Sequence, residues 1–180
     1  MRLTRLRLVA AAAGAALVGA SFVRLEPFSS ALVGAAGCLV LVAVTVTDVE
    51  RRIVPNRVVL PALAAALAAR TALDPSLRWV LAAVAVGGIF LVLAVVYPAG
   101  MGMGDVKLAA FLGSWLGWQA LTAVLLGSLA AGVPAVAILV RQGRSARKVG
   151  IPFAPFLALG GVIALLAGPA LVDWYRRHGG

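Results

Sequence analysis

Apolar stretches recur along the whole chain, each bounded by a few charges or by proline and glycine. They fall at about 7–23, 31–48, 58–73, 78–97, 105–118, 119–140 and 152–173. A helix needs roughly 20 apolar residues to cross the roughly 30 Å hydrocarbon core of a bilayer. The third and fifth stretches are short for that task, and the fifth reads either as a span or as a broken, re-entrant piece. Its boundary with the sixth is drawn at Gly117-Trp118-Gln119. Strand-like alternation is absent and alanine and leucine dominate, so helices are expected rather than a membrane barrel. With 63% hydrophobic and only 12% charged residues, water is not the main solvent of this chain. The expected fold is all-α: a polytopic membrane helix bundle of about seven transmembrane helices, with residues 1–180 as a single integral-membrane domain.

The formal charge is +10, yet the basic residues are scattered between apolar runs. No stripe of arginines interleaved with aromatics appears, so nucleic acid is not an expected partner. The charges serve topology instead. With the N-terminus in the cytoplasm, Arg2, Arg5, Arg7, Arg51, Arg52, Arg57, Lys107, Arg141, Arg144, Arg147 and Lys148 lie inside. Arg24, Arg70, Arg78, Arg176 and Arg177 lie outside, eleven against five. The first stretch, opened by three arginines, also has the pattern of a signal peptide; a retained helix is the preferred reading. The cluster 141–148 is expected to contact anionic lipid and fix this orientation.

Six carboxylates exist, so each can be weighed. Glu26, Asp74 and Asp173 fall at the outer ends of spans. Asp48, Glu50 and Asp105 fall at the inner face, beside two unusual loops, TDVERRIVPN and GMGMGDVKL. A single Asp at a span end is ordinarily an interfacial charge in water. Two on one face, each in an atypical loop, point to a site, because carboxylates at the bilayer margin are costly and tend to mark function. Paired carboxylates have a specific use: when two approach closely, both cannot stay ionised. The ionised partner then takes a proton from water while the neutral one donates to a carbonyl oxygen, which is peptide hydrolysis by general acid–base catalysis. Gly102 and Gly104 would let the backbones approach and would permit positive φ on entry to the fifth helix. Asp105 at a helix start is equally explained as an ordinary N-cap.

Other hydrolytic machineries fail on inventory. His178, the single histidine, lies two residues from the C-terminus, and no HExxH helix exists. A Ser–Lys dyad could draw only on Lys107 or Lys148, and Ser114 is two turns from Lys107. Cys38, the single cysteine, excludes a Cys-rich zinc site. No metal site and no cofactor are expected.

At this point the motifs resemble a known family. Gly102-Met103-Gly104-Asp105 matches the GxGD signature of intramembrane aspartyl proteases, and GMGMGDVKLAAFLG resembles the second catalytic motif of prepilin (type IV leader) peptidases. DVERRIVPN resembles their first motif, with Val54 a mild departure before Pro55. IPFAPFLALGG, 151–161, is similar to the stretch opening their last helix. The resemblance implies that Asp48 and Asp105 are the catalytic pair at the cytoplasmic face of the inner membrane. It implies a type IV pilin-like precursor as substrate, cut between its short basic leader and its hydrophobic segment. Bifunctional members carry a CxxC…CxxC methyltransferase domain between the first two spans. Here RLEPFSS, 24–30, stands in its place, so a short peptidase-only form is implied, like those serving Tad-type pili or archaeal preflagellins.

Around the pair, Pro55 and Asn56 are expected to stop the loop and start the third helix. Glu50 reads as a loop charge paired with Arg51 or Arg52, or as a group gripping the basic leader. Lys107, some 200° around an ideal helix from Asp105, is not expected to pair with it; it would bind lipid headgroups or a substrate carboxylate. The competing reading is a non-enzymatic membrane assembly factor or small transporter, in which Asp48 and Asp105 lie far apart.

Overall fold

The computed structural model describes residues 2–98, 100–142 and 152–178. It contains seven helices: α1 (Arg2–Arg24), α2 (Phe28–Arg51), α3 (Asn56–Leu73), α4 (Arg78–Val96), α5 (Met103–Leu116), α6 (Gln119–Gln142) and α7 (Ala154–His178). Each apolar stretch of the sequence is one helix. Of the cluster 141–148, only Arg141 and Gln142 fall within the described residues.

Proline and glycine set the boundaries. Pro27 and Pro55, both extended, stand immediately before α2 and α3, where the missing N–H costs nothing. The carbonyl of Pro55 accepts from Val58 and Val59 at 3.0 and 3.1 Å, so Pro55 and Asn56 start α3 as expected. Gly117 turns the chain between α5 and α6 with φ of 62°, a conformation glycine adopts without penalty.

Among the described residues, four helices are long and apolar enough to cross a membrane: Thr4–Arg24, Phe28–Arg51, Arg78–Val96 and Gln119–Arg141. The molecule is thus a multi-pass membrane protein. α3 falls outside that set because Asn56, Arg57, Pro61 and Arg70 lower the mean hydropathy of its 18 residues, and α5 because it has only 14. At 1.5 Å per residue α5 is about 21 Å long, short of the bilayer core. It need not cross alone. Nine of its residues are buried, including Leu108, Phe111, Leu112 and Trp115, so α5 is the core of the bundle. The outer helices carry the lipid-facing surface; in α4, Val84, Val92, Val95 and Val96 are exposed.

In lipid, helices associate chiefly through close packing, and small residues make that possible. A Cβ on Gly113 would lie 2.5 Å from the Ala82 carbonyl oxygen, so α4 and α5 meet backbone to backbone. Gly160 meets the Ala123 carbonyl in the same way, joining α6 to α7. Gly37 makes room for the Trp115 indole, whose N–H donates to the Val33 carbonyl at 3.0 Å. These contacts hold α5 against α2 and α4 and thereby fix where its first turn sits.

Candidate active site

Asp48 lies in the last turn of α2 and is 7% exposed. The helix stops four residues later: Arg52 takes a left-handed conformation, φ 54° and ψ 39°, and its N–H donates to the Asp48 carbonyl oxygen at 2.7 Å. The Asp48 side chain is held from another element altogether. Its Oδ2 accepts a hydrogen bond from the backbone N–H of Ala154, the first residue of α7, at 3.2 Å. A first-turn N–H has no partner within its own helix, and that end of a helix carries partial positive charge, so it suits a carboxylate.

Asp105 is the third residue of α5 and half-buried. Gly102, with φ −82° and ψ 147°, occupies the N-cap, and the Gly102 carbonyl accepts the Asp105 N–H at 3.0 Å. Asp105 is therefore not the N-cap but a first-turn acid, favoured there by the helix dipole. The Asp48 and Asp105 carboxyls approach closely enough to interact electrostatically. The structure thus brings together at one end of the bundle two aspartates from α2 and α5, with α7 closing on one of them.

The expectation of positive φ at Gly102 and Gly104 is corrected. Gly102 is extended, and among the described glycines Gly117 alone has positive φ. What Gly104 provides is proximity: a Cβ there would lie 2.7 Å from Val54 Cβ. Gly102 has no such neighbour, its nearest being Asp105 Oδ2 at 3.7 Å. The departure at Val54 thus sits on the seam between the two loops.

Lys107 joins the same seam. Its Nζ donates to Asn56 Oδ1 at 2.8 Å, so it does not pair with Asp105 but bridges the fifth residue of α5 to the first residue of α3. Glu50 is paired with Arg7 of α1, not with Arg51 or Arg52: Arg7 Nε and one terminal nitrogen reach its two oxygens at 3.1 and 3.3 Å. No local pattern signals that partner, 43 positions away. Nor does any side-chain pattern signal the Ala154 N–H, although the proline-containing stretch did mark the region. Ser114 is buried and bonded to the Phe111 carbonyl at 2.7 Å, away from Lys107. Among the described residues no three His, Cys, Asp or Glu side chains cluster as metal ligands.

Residues 35–137 match the type IV leader peptidase family, a segment that contains both aspartates. The chain belongs to that family. A prepilin leader peptidase/N-methyltransferase of Aeromonas hydrophila is 37% identical over 77% of this chain and 50% of its own length. Enzymes of the same name from Bacillus subtilis (strain 168) and Burkholderia pseudomallei (strain K96243) are 36% and 33% identical, over 76% and 91% of this chain and 56% and 55% of their own. The chain thus spans about half the length of the curated relatives it matches. No solved structure matches it significantly. Within this leader peptidase chain, only residues 25–27 separate α1 from α2, so no domain is inserted there.

Proposed function

We propose that this protein is an aspartyl endopeptidase that removes the short basic leader from type IV pilin-like precursors. The observation that supports the reading is the position of buried Asp48 and half-buried Asp105 at the same end of the bundle, within electrostatic reach of each other and inside the segment that matches the family. One aspartate is ionised and takes a proton from a water lying between them; the other is protonated and donates to the scissile carbonyl oxygen. The water oxygen bonds to the carbonyl carbon, the C–N bond breaks, and the proton taken from water passes to the departing amine. The two groups share one proton and titrate as a unit.

The supporting residues then have mechanical roles. Gly104 seats α5 against Val54. Lys107 and Asn56 tie α5 to α3, and Pro55 with Asn56 begins α3 so that the loop after Asp48 stays short. Glu50, already drawn to a guanidinium of α1, is the acid that a basic leader would engage. In this reading the protein sits in the inner membrane with the aspartates at the cytoplasmic face, where the leader of an uncleaved precursor resides; the excess of basic residues at this end of the bundle supports that orientation.

The test is cleavage of a pilin-like precursor in detergent or liposomes. Asp48→Asn and Asp105→Asn should each lower the rate by at least about 10³-fold, while both variants retain the wild-type unfolding temperature. Substantial cleavage by either variant contradicts the mechanism.

A further inference from the structure

At the opposite end of the bundle, the α1–α2, α3–α4 and α5–α6 connections line an open cavity of about 370 Å³. Neither the family nor the aspartate pair assigns it anything. Its polar lining comes from Glu26, Ser30, Arg70, Arg78 and Gln119, with both guanidiniums over the Trp79 ring. The volume is within the roughly 300–1,000 Å³ of small-molecule sites, and the location is a membrane surface, where phospholipid headgroups are the abundant solute.

The arginines are pre-positioned. Arg70 Nε donates to the Trp115 carbonyl at 2.8 Å, capping the C-terminal end of α5. Its guanidinium lies 5.1 Å from the Trp79 ring centroid, and that of Arg78 lies 4.4 Å from the same ring. Trp79 is itself fixed by an indole N–H bond to the Asp74 carbonyl at 3.2 Å. The Arg70 bond uses Nε, and its two terminal nitrogens bond to no other described residue. Arg78 is paired with Asp74. Glu26 is exposed and forms no ion pair among the described residues.

The charged groups lining the cavity are two guanidiniums, that of Arg78 already paired with Asp74 outside the lining, and the carboxylate of Glu26, and the opposite charges are separated. Positive charge sits on the Trp79 platform, and an unengaged carboxylate lies on the α1–α2 side. A net-anionic ligand gains from the arginines and loses against Glu26. A zwitterion with a phosphate at one end and a hydrogen-bonding ammonium at the other matches both. Trp118, 50% exposed beside the cavity, supplies the amphipathic ring that settles at the headgroup level.

We propose that this cavity binds the headgroup of a phosphatidylethanolamine, its phosphate on Arg70 and Arg78 and its ammonium on Glu26. The test is native mass spectrometry and thermal unfolding of the purified full chain with added phosphatidylethanolamine, phosphatidylglycerol or phosphatidylcholine of identical acyl chains. Phosphatidylethanolamine should be retained best and raise the unfolding temperature most. Glu26→Gln should cut its retention about tenfold, to the level of phosphatidylcholine, whose quaternary ammonium donates no hydrogen bond. Arg78→Gln should weaken retention of all three. Arg70 is left in place because it caps α5. Equal retention of the three lipids, a preference for phosphatidylglycerol, or a Glu26→Gln protein that still favours phosphatidylethanolamine would each overturn the assignment.

Discussion

Asp48 ends a helix and Asp105 begins one, so the helix dipoles act on them in opposite senses. The C-terminal end of α2 disfavours a carboxylate, while the N-terminal end of α5 favours one. The Ala154 N–H at 3.2 Å, brought by the N-terminal end of α7, offsets that disadvantage for Asp48. The glycines of the second loop divide their work in a way that substitution separates. Gly104→Ala forces a Cβ to 2.7 Å from Val54 Cβ, and such overpacking costs about 1–3 kcal/mol. Gly102 is extended and its added Cβ meets nothing closer than 3.7 Å, so Gly102→Ala should change stability by no more than about 0.5 kcal/mol. Chemical denaturation of the two variants checks the difference; equal effects contradict the role of Gly104. For Lys107, a double-mutant cycle with Asn56 is decisive. Lys107→Met and Asn56→Ala should be non-additive by about 0.5–3 kcal/mol in unfolding, whereas strict additivity would show that the 2.8 Å bond carries nothing.

Among the helices, α5 shows most plainly what sequence can and cannot disclose. The seven apolar stretches were legible because each ends in charges, proline or glycine. Lipid-facing and core-facing helices, however, are both apolar, so no hydropathy pattern marks the 14-residue α5 as the centre of the bundle. From sequence its shortness reads as a short span or a broken, re-entrant piece; in the structure it is one 14-residue helix with nine residues buried. The two aspartates were legible for the opposite reason, since carboxylates stand out in an apolar chain. The Ala154 N–H was not, because every residue except proline carries that donor. The α4–α5 seam makes its own prediction. Gly113→Ala places a Cβ 2.5 Å from a backbone oxygen, which cannot step aside as a side chain can, while a Cβ on Gly88 of α4 meets nothing within 4 Å. Gly113→Ala should lower stability by about 1–3 kcal/mol, and Gly88→Ala should be neutral or stabilising by up to about 1 kcal/mol. Thermal unfolding in detergent reads both; a harmless Gly113→Ala would mean the two backbones are not in contact.

Across the whole molecule, successive connections alternate between the two ends of the bundle and separate two chemistries. One end gathers the aspartates, Lys107 and the start of α7, and the other gathers Arg70, Arg78, Trp79 and Glu26. The positive-inside reading assigns the first end to the cytoplasm. Single cysteines at Ile53, 58% exposed, and at Pro75, exposed in the α3–α4 connection, test that orientation against a background in which Cys38 is fully buried. A membrane-impermeant maleimide added to intact cells should label Pro75→Cys and reach Ile53→Cys only after permeabilisation; the reverse pattern inverts the topology.

The central claim is that Asp48 and Asp105 act as one catalytic unit, and comparing the two single Asp→Asn variants with the double variant in the precursor-cleavage assay tests it most directly. Groups that work as a unit fail together, so all three proteins should fall to the same residual rate. A double variant whose loss is the product of two partial single losses, or a single variant that still cleaves at the wild-type rate, would contradict the account.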